Sequence, residues 1–572
     1  MEILFIVTFV AGLVVRYTVW REDQPWQWAW IVRPLLWGAL PVAAFSTSGK
    51  GVDKNALTLF VMAWATGSAI RWTVNYFGFL KRNKNKDSNR RGVNIKGSQD
   101  TTALGENDVA RMIKKAGKET HGYLGGVPVP IDVEPLHFLM SGAPGSGKSL
   151  AFYQRLVSAR QRQHRAIISD PGAEFLKRFW REGDAIFNPF DQRGIDWSPF
   201  AEMRQPYDAD RIAASMIPIP NDPTKAEWNQ YANSILSAVL ERLFERDNPT
   251  NGDLVYYLTT APMRELKELV EGSPAQRFFA KLDSGMLASV MNIIVTYIKP
   301  YSYLNSAAGK DAFSVRRWIE DDGKDWLFLS FRDDQLQSIR PMIAAVLDVA
   351  SSAVLSLPAS FARRIFFAID EFATLGLINS IEPLLTKGRK CGAVVMLGVQ
   401  AISQPRATYG REMTQTLLSC LGTWLVLKQP DADTADYMSK YVGDEEIRRV
   451  SSSGNQQGGG WQEQIHRQRA VIPSELQNLN PRVGILNIAG AIPPCWTTIP
   501  ITKLPDQIEA FQDKEMRPTR SPKPLPVDAG AATQERIPEA APEQEPETVS
   551  SSTAAVATEI QHGDDPFADL IN

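Results

Sequence analysis

Cysteine and histidine are scarce in this chain of 572 residues, with three of the first and five of the second. Cys391, Cys420 and Cys495 lie far apart and form no CxxC pair, so neither a disulfide framework nor a zinc site is expected, and reducing surroundings fit. The histidines show no metal-ligand spacing. Net charge is nearly absent too, because 62 Lys+Arg stand against 64 Asp+Glu and leave −2. That balance excludes a surface coated throughout in positive charge and leaves local basic patches open. An apolar fraction of 44% is ordinary for a folded protein. The length requires about three to five units rather than one.

The first 80 residues depart from this average. Ile3–Val15 is unbroken apolar sequence, Trp28–Phe45 is apolar apart from Arg33, and Ala56–Leu80 is long enough to span with Arg71 inside it. A helix needs about 20 residues to cross the hydrocarbon core. Tryptophans from Trp20 to Trp64 crowd the segment ends, where amphipathic rings prefer to sit. Residues 1–80 are therefore expected to be a transmembrane anchor of two or three helices, since Arg33 and two prolines weaken the middle segment. Three spans put the N-terminus outside and two put it inside. "KRNKNKDSNRRGVNIK" follows directly, with seven basic residues against one acidic, and places what comes next in the cytoplasm. A cleaved signal peptide would need a positive n-region and a small-residue cleavage site, and neither is present.

Residues 81–130 read as a basic juxtamembrane linker with one helix around "NDVARMIKKAGKE". Beyond them, "LHFLM", "RAIIS", "WLFLSF", "IFFAI", "GAVVMLGV", "TWLVLK" and "VGILNIAG" alternate with amphipathic stretches. Near-continuous apolar strands between helices predict an α/β fold with a parallel sheet buried on both faces. The rhythm stops between about 205 and 300, where every apolar run has helical spacing. The expected organisation is an α/β domain in two parts, 131–204 and 301–510, around an all-α insertion at 205–300. "SSSGNQQGGGWQEQ" from Ser451 reads as a mobile loop. Residues 511–572 read as a disordered acidic tail. It ends in "DDPFADLIN", either a frayed terminus or a short partner-binding motif.

The stretch "GAPGSGKSL" carries the chemistry. Gly142, Gly147, Lys148 and Ser149 satisfy G-x-x-x-x-G-K-[ST], preceded by an apolar strand and followed by an amphipathic helix. In such a loop backbone N–H groups turn inward to cradle phosphate oxygens at a helix N-terminus. Gly142, Ala143, Pro144, Gly145, Ser146, Gly147, Lys148, Ser149 and Leu150 are thus the expected nucleotide-binding segment. Lys148 would reach the β- and γ-phosphates and Ser149 would ligate Mg²⁺. "RIFFAIDEF" supplies a second carboxylate at a strand's C-terminal end. Asp370 fits a direct or water-mediated Mg²⁺ partner, and Glu371 a general base for the attacking water. Hydrolytic motors pair these two acids more often than nucleotide kinases do. Gln400, at the tip of the next strand, could bond the γ-phosphate or its water. Arg389 is a candidate arginine finger for a neighbouring subunit, with Arg411 and Arg364 as weaker ones.

With "EWNQYANSIL", "FNPFDQRGIDWSPF" and above all "IDEFATLGLINSIEPLLTKGRKCGAVVMLGVQAISQ", the chain over about 1–510 resembles the TraD/TraG-type coupling proteins of conjugative DNA transfer. The resemblance implies a RecA-like ATP- and Mg²⁺-dependent motor carrying an all-α domain, anchored multi-pass in the bacterial inner membrane and assembled as a homohexamer. It implies Lys148 and Ser149 on phosphate and Mg²⁺, Asp370 as metal partner, Glu371 as catalytic acid, Gln400 as sensor and Arg389 as the finger acting in trans. Its partners would be DNA, a relaxase with a relaxosome accessory protein, the latter through the tail, and inner-membrane components of a type IV secretion channel. A docking receptor using ATP only as a switch stays open. So does a segregation-type translocase, although no winged-helix module follows the motor; a tethered protease lacks an HExxH.

Overall fold

The computed structural model describes residues 88–281, 284–453, 460–490 and 492–515. Its centre is a nine-stranded sheet. From one edge the strands are Cys495–Thr498, Val483–Asn487, Thr423–Val426, Phe138–Ser141, Ala393–Val399, Ile365–Ile369, Arg165–Pro171, Trp326–Phe331 and Ala185–Ile186. From Thr423–Val426 onward all neighbours pair parallel, and the two strands at the first edge pair antiparallel.

Side chains alternate across a strand, so a run without polar positions must be covered on both faces. Phe138, Met140, Val394, Met396, Phe366 and Ala368 join one apolar cluster. Leu139, Val395, Leu397, Phe367 and Ile167 join the other. Ala151, Phe152 and Leu156 of the helix Lys148–Gln161 cover the first face together with Val109 and Ile113 of the helix Thr102–Lys115. The second face is covered by the helix Asp333–Leu355 and by helices between 208 and 298. Among the described residues Asp333–Leu355 is the one helix long and apolar enough to cross a membrane, and its apolar window is 72% buried in the protein core. The expected anchor at 1–80 lies outside the described residues.

No strand occurs among the described residues between Ile186 and Trp326. The long helix Pro223–Phe244 starts where Asp222 accepts from the backbone N–H groups of Thr224 and Lys225, with Pro223 in the first turn. The two ends of this helical stretch are tied by buried Glu202. Its carboxylate accepts from Trp197 Nε1 (2.8 Å), Ser314 Oγ (3.0 Å), Val315 N (2.7 Å) and Arg316 N (3.0 Å). Burial pushes its pKa up, and the donors oppose that shift.

Three segments differ from the sequence reading. From Ser88 the expected linker is folded: Ser88–Gly92 pairs with Asp444–Ser453, and Thr120–Leu124 pairs with Val127–Pro130. Glu106 of the helix Thr102–Lys115 accepts from Thr497 Oγ1 (2.8 Å) and Thr498 N (2.9 Å) at the sheet edge. Much of the expected loop from Ser451 is a hairpin, with Ser451 opposite Gln462 and Ser453 opposite Gly460; residues 454–459 lie outside the described set. The expected tail begins later than 511. Gln192 N donates to Gln512 O (2.8 Å), Lys514 N to Phe190 O (2.9 Å), and Arg332 pairs with Asp513 (2.9 Å). Residues 516–572, with the terminal motif, lie outside the described set.

His137 sets the start of the central strand Phe138–Ser141. Its Nδ1 accepts from Val395 N (3.1 Å), which leaves Nε2 to donate to Leu385 O (3.0 Å). Burial holds its pKa down at about 4, against 6.5 in the open chain. Between these values the unfolded chain binds more protons, so stability rises with pH: the contribution is complete above 6.5 and is lost as pH falls through 4. Acidification should remove up to about 3 kcal/mol from this residue. His137→Gln should flatten that slope, measured as denaturant midpoints near neutrality and near about pH 5. An equal slope in both proteins would contradict this.

Candidate functional site

The loop from Gly142 to Ser149 leaves the strand Phe138–Ser141 and enters the helix Lys148–Gln161. Its backbone is tied to three other segments. Gly142 N donates to Val399 O (3.0 Å), Ala143 N to Lys428 O (3.0 Å), and Arg482 N to Ser146 O (2.8 Å). Gly145 and Gly147 have φ of 72° and 104°, the left-handed region that side chains resist. At Gly142 a Cβ would overlap Ser146 Oγ. Pro144 and Gly145 are exposed at the tip, and Leu150 packs half-buried against the core.

The strand order brings distant acids to this loop. Ala393–Val399 lies between the loop's strand and Ile365–Ile369. Asp370 leaves the end of that third strand and reaches back over the second. Ser149 Oγ donates to Asp370 Oδ2 (2.7 Å), and Lys148 Nζ stands 3.6 Å from Asp370 Oδ1. Lys148 and Asp370 are 7% and 8% exposed, so a charged pair is held nearly out of water. Beside them Gln400 Nε2 donates to Glu371 Oε1 (2.6 Å). Lys148, Ser149, Asp370, Glu371 and Gln400 are therefore one constellation at the C-terminal ends of parallel strands, where α/β ligand sites form.

Two buried oxygens of the site have no hydrogen-bond partner, Asp370 Oδ1 and Ser146 Oγ. Buried polar groups are normally satisfied, so both oxygens keep capacity to accept a further partner. A carboxylate and a hydroxyl are hard oxygen donors, suited to Mg²⁺, which takes one or two protein ligands and keeps several waters. The residues present fit such an ion.

Arg389 is not in this constellation. It lies on the short turn Gly388–Cys391 before the strand Ala393–Val399, whereas Gln400 follows that strand. A strand rises about 3.3 Å per residue, so the two are on the order of 20 Å apart or more. Arg389 is exposed and pairs with no carboxylate among the described residues. Arg364 is corrected as a finger: it is buried, 3.6 Å from Glu134, and donates to the carbonyls of Phe361 (2.7 Å) and Arg363 (2.8 Å). Arg411 is exposed at the start of the helix Arg411–Ser419.

Sequence reasoning assigned no role to the support shell. Asp170, in "ISDPGAEF", ends the strand next to that of Asp370 and accepts from Phe175 N (3.0 Å) and Leu176 N (2.7 Å). Burial pushes its pKa up to about 7, the two N–H groups oppose this, and the charge of Asp370 adds to it. Arg482, with φ of 69°, presses its side chain against Gly147. No local pattern marks it.

Residues 122–500, more than half of the chain, match the family described as the type IV secretion-system coupling protein DNA-binding domain. The chain belongs to the type IV secretion-system coupling proteins. Coupling protein TraD of Escherichia coli K12 is 24% identical over 517 residues, which cover 88% of this chain and 67% of that one. A solved structure of the conjugative coupling protein TrwB lacking its N-terminal segment superposes with a TM-score of 0.69 at 32% identity, over 75% of this chain and 96% of that one. TrwB has also been solved with ADP and Mg²⁺ (TM-score 0.67, 31% identity, 75% and 97% covered).

Gly398 makes the site of this coupling protein possible. A Cβ there would overlap the backbone carbonyl of Asp370, so only glycine lets the carboxylate-bearing turn cross this strand. Gly398→Ala should cost about 3 kcal/mol by forcing the backbone apart. Affinity for Mg²⁺-nucleotide should fall in whatever fraction still folds. Denaturant midpoints and isothermal titration check both, and an unchanged midpoint would show that the strands part freely.

Proposed function

We propose that this coupling protein binds ATP with Mg²⁺ at the Lys148–Asp370 site, and that hydrolysis drives DNA into a type IV secretion channel during conjugation. The observation that carries the reading is the convergence of Lys148, Ser149 and Asp370 with the bonded pair Glu371–Gln400 beside them. Ser149 and Asp370 would hold Mg²⁺, which offsets charge on the phosphates. Lys148 and the backbone of 142–150 hold the triphosphate, and the nearly dry site strengthens each of these contacts. Glu371 accepts a proton from the attacking water, and Gln400 fixes the orientation of that carboxylate.

The family's description as DNA-binding, and TrwB's complexes with an ATP analogue and with ADP and Mg²⁺, support the same reading. DNA contacts would be sequence-tolerant, through basic groups on phosphates. The ATPase domain comprises 131–204 and 301–510, and the helical stretch 205–300 is its insertion. Residues 1–80 anchor it in the inner membrane with the ATPase domain in the cytoplasm. It works as a homohexamer in which Arg389, being remote from its own site, serves the neighbour's. The relaxosome, with its relaxase, is received on the cytoplasmic side, in part through the tail, and handed to the inner-membrane components of the channel.

Full-length protein in detergent tests this. Glu371→Gln should keep ATP binding while turnover falls by about 100-fold or more, and DNA should stimulate the parent enzyme. Lys148→Ala and Arg389→Ala should each be inactive alone. Mixed, they should recover part of the activity, at junctions where an intact loop meets an intact arginine. Turnover indifferent to every form of DNA would count against transport, and no recovery on mixing would count against the trans assignment.

A further inference from the structure

An open cleft of about 820 Å³ lies where the strands Phe138–Ser141, Ile365–Ile369 and Ala393–Val399 begin, the end of the sheet opposite the nucleotide site. Lys118, Asp132, Phe361, Arg364, Arg389 and Lys390 are among its lining. Lys118 pairs with Asp132 (2.7 Å) and Arg364 with Glu134 (3.6 Å). Glu119 is the cleft's other acid. That leaves Lys387, Arg389 and Lys390, all exposed and none paired with a carboxylate among the described residues. On the rim stands Phe361, 94% exposed.

Phe361 is not on a slack loop. Ser360 N donates to Lys390 O (2.8 Å), Arg364 Nη1 to Phe361 O (2.7 Å), Arg363 Nη1 to Pro358 O (2.8 Å), and Arg363 N to Ser360 Oγ (3.2 Å). The turn carrying Arg389 and the loop carrying Phe361 are thus one bonded unit. Holding an aromatic ring in water at a fixed place costs hydration free energy that a single isolated chain never recovers. Rigid aromatic side chains beside arginine are the residues on which interfaces concentrate their energy.

We infer that Phe361 is the anchor by which one copy of this chain docks on the next. It seats on the neighbour's loop-bearing end while Lys387 and Lys390 face the anionic charge gathered there. The two ends of the sheet are unlike: the cleft end carries three cations without a carboxylate partner against one such acid, Glu119, and on the ATP reading the other end carries the negative charge of the triphosphate beside Glu371. Such a contact is head-to-tail and closes into a ring when the rotation permits. The inference rests on the ATP reading for the charge of the receiving face, and it makes assembly depend on a residue that touches no nucleotide of its own subunit.

Sedimentation of full-length protein in uncharged micelles, over a concentration series with ADPNP and Mg²⁺, measures assembly without requiring turnover. Phe361→Ala should raise the midpoint concentration for assembly by about tenfold or more, and Phe361→Trp should restore it. Reversing Lys387 and Lys390 together to Glu should raise it as well. Specific ATPase activity of Phe361→Ala should reach the parent's plateau once enough protein is present, because the exposed ring supports no fold contact. A midpoint unmoved by Phe361→Ala, or a parent protein that stays monomeric throughout, overturns the proposal. Assembly that responds to Phe361 in a parent without ATPase activity would sink the hydrolysis reading and leave the docking assignment standing.

Discussion

The contact of Asp370 with Ser149 and Lys148 joins parts of the chain separated by 221 positions, and the rest of the site is arranged around it. It is a costly arrangement in isolation. Two nearly buried charges lose hydration, and their mutual attraction offsets this only with full hydrogen bonding. Here Lys148 approaches Asp370 Oδ1 at 3.6 Å without bonding it, and that oxygen is left without a hydrogen-bond partner. A fold optimised for stability alone would not keep such a group. Apolar strands on both faces supply the stability that lets the site hold charge in readiness, and Gly398 removes the one side chain that would stand in Asp370's way.

Much of this was legible because it is local. The glycines, Lys148 and Ser149 occupy one turn, and the acids occupy the end of one apolar run, so spacing alone reports their chemistry. The α/β character was legible for a related reason: strands covered on both faces must be apolar at every position. What was not legible is long-range or polar. The hairpin built from Asp444–Ser453 and Gly460–Arg469 carries no hydrophobic alternation, so its serines and glutamines read as loop. The segment up to Glu515 is held by backbone contacts to Phe190 and Gln192 that no composition reveals. Gly398 and Arg482 gain their meaning only once other strands are beside them. Arg364 illustrates the converse, an arginine whose sequence context suits a finger and whose surroundings bury it against Glu134.

A parallel sheet has unlike ends, and this one uses the difference. Every strand from Thr423–Val426 to Trp326–Phe331 points its C-terminal end toward the loop and the acids. Connections at the other end are free to carry charge of the opposite sign. Arg389 and Gln400 stand at the two ends of the same strand, so any displacement of one along the strand axis is passed rigidly to the other. In the proposed ring, with Arg389 acting in trans, such a link would join one site to the next.

The bond between Gln400 and Glu371 bears on how such a site waits. An amide N–H given to a carboxylate oxygen fixes the direction in which that carboxylate points, so on the ATP reading Glu371 is held aimed by Gln400. That amide has a second N–H donor, and on the ATP reading arrival of the triphosphate offers it a γ-phosphate oxygen that loss of the phosphate removes. The state of the nucleotide is then translated into the position of one side chain at the tip of a fully buried strand, whose other end carries Arg389.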